Sequence, residues 1–254
     1  MPTLGAWLVV PTLANLLMYI IRMGNLGNTT WATVAMMVSA TFVLLGFTFW
    51  TRSNSSNKWP FKPFIAAYLW RATLLMSALV YVGAIAIATA TATAMASSGN
   101  TKPLPYIPLF NPVEITIALA LAALILWKLR LNNSGIALAY WIKSNKPKML
   151  LIAAIFIVIN TVWLHILHHF LGVTWDASAL FNSDIVQMGY AILWTLIAIG
   201  VMLMANKKRL ANYARQLWLL GAALLGLNLV KLMLIDLSHV HSVERMSLLL
   251  GLVY

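Results

Sequence analysis

The chain has no cysteine, and only five of its 254 residues carry a carboxylate. The first absence excludes disulfides, thiolate metal sites and a cysteine nucleophile, and it leaves the redox compartment unreadable. Charged residues of both signs reach only 9%, which excludes an ordinary soluble domain, where about a quarter are charged. Signature motifs are missing too. There is no Walker loop, dinucleotide-binding glycine fingerprint, G-x-S-x-G elbow or H-E-x-x-H, and no pair of inverted repeats with broken helices. The N-terminal run MPTLGAWLVVPTLANLLMYII lacks a basic leader region and is too long for a signal peptide. It reads as a first spanning helix, kinked at Pro11.

Apolar residues dominate what is present: 62% of the chain is hydrophobic and the mean hydropathy is +0.86. Such a chain is an integral membrane protein, and its unit of organisation is the run of about 20 residues that crosses the hydrocarbon core. Eight runs appear, at Thr3–Ile21, Trp31–Trp50, Phe64–Ala96, Ile115–Leu129, Met149–Leu167, Ile185–Met204, Leu217–Ile235 and from Val243 onward. The predicted fold is an all-α, polytopic transmembrane bundle forming a single domain over residues 1–254. The eighth run has only about a dozen residues before Tyr254, too few to cross, so it is expected to be truncated and to continue beyond this sequence.

Three stretches depart from simple spans. The third run is overlong and ends in AIAIATATATAMASS, whose small residues favour tilt or close packing. Gly135 to Ile142, GIALAYWI, is too short to cross and reads as an interfacial piece. The loop KPLPYIPLFNPVE holds Pro103, Pro105, Pro108 and Pro112, which forbid regular helix and favour a stiff, extended cover.

The net charge of +12 is dispersed among loops instead of forming a basic patch with stacking aromatics, so nucleic acid is not an expected partner. Its distribution is asymmetric. Arg52, Lys58 and Lys62 fall in or beside the second loop, Lys128, Arg130, Lys143, Lys146 and Lys148 the fourth, and Lys207, Lys208, Arg209 and Arg215 the sixth. The odd loops hold only Arg22, Lys102 and Arg245, together with the five acids (Glu114, Asp176, Asp184, Asp236, Glu244) and five histidines. Because cytoplasmic loops carry the excess of Lys and Arg, the even loops and the N-terminus are expected in the cytoplasm, as for a multi-pass protein of a bacterial inner membrane.

The runs PLPYIPLFNPVE, HHFLGVTWDASALFNSDIVQMGYAILWTLIAIG and KLMLIDLSHVHSVERMSLLLGLVY resemble the C-terminal region of the bacterial membrane proteins of domain of unknown function 2339. The likeness runs from about Trp59 to the end, in the same motif order. It implies that the chain is the C-terminal piece of a longer polytopic protein, whose remainder would then be a partner alongside membrane lipids. It implies no activity, substrate, cofactor or catalytic residue.

The polar residues that remain define candidate sites. His165, His168 and His169 recur at i, i+3 and i+4, so His165 shares a helical face with either partner. Neutral imidazoles at that spacing suit a metal, and a closed site would combine His165 and His169 with His239 and Asp236. The alternative is that these are interfacial side chains at wet helix ends. Asp236, His239 and His241 are equally a candidate acid–base set. Lys231 lies within the seventh helix, where a cation is costly. With Asn228 and Asn160 it forms either a polar seam that glues helices or the floor of a cavity binding an anionic headgroup. Glu244, just after Ser242, fits helix capping, and Arg71, beside Tyr68 and Trp70, fits snorkelling to headgroups.

Two functions follow from these sets. The first is a cell-envelope scaffold or transport-related module with an outward-facing polar surface. The second is a membrane enzyme acting at the periplasmic face on a lipid-linked or envelope substrate through Asp236 and His239 or His241. The cofactor, if any, is not specified by the residues.

Overall fold

The computed structural model describes residues 2–27, 30–51, 61–92, 98–99, 101–134, 144 and 146–236, which are helical or in turns, with no strand among them. The helices are α1 (Pro2–Met23), α2 (Thr30–Trp50), α3 (Phe61–Ala66), α4 (Thr73–Ala92), α5 (Pro112–Asn132), α6 (Lys146–Leu171), α7 (Ala177–Asn182), α8 (Asp184–Ala205) and α9 (Ala214–Lys231). A π-helical segment, Ala67–Ala72, joins α3 to α4, and another, Leu232–Asp236, follows α9. Seven helices among the described residues are long and apolar enough to cross a membrane. They answer to the first seven apolar runs; Val243 onward and GIALAYWI lie outside the described residues.

Hydroxyl groups within these spans are satisfied by their own helices, as a medium without water requires. Ser39, Thr41, Thr48 and Thr195 each donate to the carbonyl four residues earlier. The third span is irregular for a local reason. In the π-helical segment the Leu69 carbonyl accepts from both the Thr73 hydroxyl and the Trp127 indole, and the indole also reaches Thr73 Oγ1 at 2.9 Å. A π turn frees carbonyls for such partners, and here it fastens the third span to α5.

The chain forms two compact units, Met1–Ile166 and Leu167–Tyr254. In the first, Leu44, Leu69, Met76, Ile117 and Leu131 are fully enclosed, because α2, α4 and α5 face one another and bury their apolar sides together. Cross-helix hydrogen bonds fix the threading. Arg130 donates from the end of α5 to the Thr51 carbonyl just past the end of α2, so these two ends share a side. Trp31, at the start of α2, donates to the Lys102 carbonyl in the proline-rich loop. Tyr81 meets the Leu150 carbonyl, and Thr161 meets that of Ala88. Both pairs advance along the two helices together, so α4 and α6 run parallel, as a third and a fifth span must.

The described part of the second unit is an antiparallel pair, α8 and α9, turned by the 3-10 segment Lys208–Tyr213. Gly221 lies where the helices come closest: a Cβ there would sit 2.6 Å from Met202 Cγ and 2.9 Å from the Ala198 carbonyl oxygen. Close backbone approach through small residues is the usual way membrane helices gain packing energy without a hydrophobic driving force. Short α7 is capped by Asp176, whose carboxylate accepts from Ser178 and from the Ala179 amide. The Ser178 hydroxyl first, then these amides, hold the Asp176 carboxyl below the usual range.

Candidate functional site

The densest polar cluster of the first unit forms where the proline-rich loop meets the start of α5 and the far end of α6. Its local cause is the sequence Asn111-Pro112-Val113-Glu114. Asn111 caps α5 by accepting from the Val113 amide at 2.9 Å, and Pro112 follows as first helical residue, where its missing N–H costs nothing. Glu114 is then two residues further along the first turn. It does not reach back to its own cap. One oxygen, Oε2, accepts the Leu109 amide at 2.6 Å; the other, Oε1, accepts the Tyr106 hydroxyl at 2.8 Å and lies 2.9 Å from His165 Nδ1. Three donors converging on one carboxyl group match the ionised form, which only accepts, with the proton of this imidazole edge on Nδ1.

The pair is closed to solvent: 4% of the Glu114 side chain and 1% of the His165 side chain is exposed. Tyr106 stands edge-on to the His165 ring, with centroids 5.7 Å apart. Burial, reinforced by the hydrogen bond to Glu114 and its charge, pushes the Tyr106 hydroxyl well above the usual tyrosine range, so it remains a donor. Gly99 covers the imidazole on another side. A Cβ built there would lie between 3.1 and 3.2 Å from three ring atoms, and its φ of +79° is one that side-chain-bearing residues rarely adopt. The Asn111 amide nitrogen ties this glycine down by donating to its carbonyl.

Leu109 shows what the latch holds in place. Its φ is +67°, a conformation costing a non-glycine residue about 1–3 kcal/mol, and its amide is the one that Glu114 accepts. The resulting turn sends Leu104, Ile107, Leu109 and Phe110 outward, with Phe110 73% exposed. The loop therefore hides its polar groups and presents an apolar ridge, where the sequence suggested a polar outer surface.

The remaining predicted residues go elsewhere. His168 donates to the Val173 carbonyl at 2.6 Å and lies against Trp175 and His169. Asn160 donates to the Phe156 carbonyl one turn back. In the second unit Asn228 donates to the Ala191 carbonyl and to Thr195 Oγ1, while Lys231 Nζ is 2.8 Å from the Gln187 carbonyl. Asn228 and Lys231 thus join α9 to α8 in the manner of helix glue. Of the acid–base set, Asp236 ends the second π-helical segment, with its side chain outside the description, and His239 and His241 lie outside the described residues, as does Glu244. Among the described residues no group of three or more His, Cys, Asp or Glu is placed to hold a metal.

Comparison with known families fits this architecture of apolar helices. The family described as "Predicted membrane protein (DUF2339)" matches residues 1–253. The chain belongs to it. Within this family of domain of unknown function 2339 the match takes in α1, α2 and the rest of residues 1–58, which the resemblance from Trp59 onward left out. No curated protein and no solved structure matches the chain.

Sequence reasoning missed Glu114, Tyr106, Asn111 and Gly99. A signal for Glu114 was present: between the third and fourth apolar runs it is the single carboxylate, beside an Asn-Pro pair that marks a helix start. The partner was not readable, because His165 follows 51 positions later.

Proposed function

We propose that this membrane protein is a scaffold or transport-related module of the bacterial inner membrane, with a cytoplasmic N-terminus. Its working outer surface is the proline-rich loop, held rigid by Glu114 and His165. The observation that carries the reading is the engagement of both Glu114 oxygens by the loop (Tyr106 and Leu109) and by α6 through His165. A buried ionisable pair in a membrane protein calls for a role that justifies its desolvation. One that is closed to solvent, with an apolar ridge set on it, fits a preorganised contact surface. The alternative, a membrane enzyme using Asp236 with His239 or His241, is favoured by nothing among the described residues.

The latch is tested by hydrogen exchange. In Glu114→Gln the Leu109 amide loses its charged acceptor, and peptides covering residues 101–111 are expected to exchange at least about tenfold faster, equivalent to 1.4 kcal/mol of lost protection. Peptides from α2 should be unchanged. Unaltered exchange in the loop would rule out the latch.

Sidedness is tested separately, with the advantage that the chain has no cysteine of its own. Single Lys102→Cys and Lys208→Cys variants are expected to react with an impermeant maleimide on opposite faces of the membrane, the first from outside intact cells. The threading of Arg130 to Thr51 and Trp31 to Lys102 supports alternation of the loops, and the positive charge of the even loops supports its direction. Equal labelling of both from outside would refute the orientation.

A further inference from the structure

Between α4, α5 and α6 of the first unit lies a cleft of about 390 Å³, within the range of small-ligand sites. Its walls are apolar: Leu74 and Ala78 from α4, Leu124 from α5 and Leu151 from α6. Two cations line it, Lys128 and Lys148, and no carboxylate does. The geometry points to a binding site for one anionic phospholipid, with the acyl chain in the cleft and the phosphate between Lys128 and Lys148.

Three observations carry this. Lys128 Nζ is shut off from solvent, yet among the described residues it has no hydrogen-bond partner. An ammonium held this way lacks an acceptor, and leaving a charged donor unmatched is the costly arrangement. Lys148 is close enough to repel Lys128, so the lining adds a second positive charge where a negative one is needed. A phosphate between them turns that repulsion into two charge-assisted contacts. Depth is the third. Lys128 precedes the end of α5 at Asn132 by four residues, about 6 Å along the axis, and Lys148 is in the first turn of α6. Both ammonium groups therefore sit near the headgroup level while the cleft runs inward beside them. An amphiphile with an anionic head and an apolar tail satisfies all three, whereas a soluble anion would leave the apolar walls unfilled. Basic pockets between transmembrane helices recognise anionic headgroups by this chemistry.

The cleft is held open independently of any ligand. Trp127 ties α5 to α4 through Thr73, and Tyr81 ties α4 to α6 through the Leu150 carbonyl. Neither tie uses a lysine, so removing the charges should leave the walls standing.

The experiment is native mass spectrometry of the detergent-purified protein titrated with phosphatidylglycerol, phosphatidylcholine of the same chains, or inorganic phosphate. Wild type is expected to bind one phosphatidylglycerol with at least about tenfold preference over phosphatidylcholine. Lys128→Gln combined with Lys148→Gln should reduce that preference to within about twofold, while Lys62→Gln, a cation outside the cleft, should preserve it. Ala78→Phe, which fills the cleft, should abolish the one-to-one complex. Lys128→Arg keeps the charge and should retain the preference, which separates loss of recognition from loss of fold. Equal binding of the two lipids by wild type, or an unchanged preference in the double variant, would overturn the proposal. So would phosphate that binds as tightly as the lipid, since that marks a free-anion site.

Discussion

His165→Leu is expected to destabilise the first unit by roughly 3–5 kcal/mol, the range found when one partner of a buried ion pair is removed. The leucine fills much of the space under Gly99, so the loss is electrostatic more than steric. What remains is a Glu114 carboxylate 4% exposed, with only Tyr106 and Leu109 named as donors and no imidazole beside it. The variant should respond by taking up a proton at Glu114 or by loosening the loop, and either weakens the hold on Leu109. Equilibrium unfolding in detergent, read by tryptophan fluorescence, gives the magnitude. The decisive comparison is a cycle with Glu114→Gln. Because the neutral amide no longer needs a charged neighbour, the double variant should lose less than the sum of the single ones, by at least about 1 kcal/mol. Strict additivity would mean that the two side chains do not act as a pair.

Gly221→Val carries the second large effect, in the other unit. A Cβ alone would intrude to 2.6 Å from Met202 Cγ and 2.9 Å from the Ala198 carbonyl oxygen. Met202 is flexible and can swing aside, whereas the carbonyl belongs to the backbone of α8 and cannot. The branched side chain adds two more atoms at the same place, so α9 must move away. Overpacking usually costs about 1–3 kcal/mol, and here the displacement also stretches the Asn228 contacts to Ala191 and Thr195 and the Lys231 contact to Gln187. The expected loss is about 3 kcal/mol, with Gly221→Ala at the lower end of the range and Gly226→Ala, where nothing lies within 4 Å, close to neutral. Forced or denaturant unfolding of the three variants ranks them. An order with Gly226→Ala as the worst would remove the argument.

The spans were legible because hydrocarbon imposes a length and a composition on them. The second run, Trp31–Trp50, differs from α2 by one residue, and Ile185–Met204 differs from α8 by one at each end. The fifth run was read short. α6 extends to Lys146 on one side and through His168 and His169 on the other, since helical hydrogen bonding does not stop where apolarity does. The seventh was read with the wrong geometry at its end: α-helix stops at Lys231, and the next five residues are wound more loosely. The third run hid its π-helical segment entirely. Nothing in Ala67-Tyr68-Leu69-Trp70-Arg71-Ala72 announces it, because its cause is Trp127, more than fifty residues away.

The site was less legible than the spans for the same reason. Composition revealed that carboxylates and imidazoles gather in the odd loops, which is where Glu114 and His165 meet. It did not reveal the pairing. Spacing grouped His165 with His168 and His169, but a shared helix face says only which rings could cooperate. The loop decided otherwise, with Gly99 over the His165 ring and Glu114 at its Nδ1.

The π-helical stretch in the third span has a consequence for how this region tolerates change in length. A π turn holds one residue more than an α turn, so excising a single residue from Ala67–Ala72 would let the helix rewind as ordinary α. Everything on one side of the cut would rotate by about 100° relative to the other, the angle of one residue at 3.6 per turn. Leu69 and Thr73 could not then both face the Trp127 indole, and Met76 and Val80, now enclosed, would be carried round the helix toward lipid. The surplus residue therefore works as a phase setting: it decides which side of α4 the bundle receives.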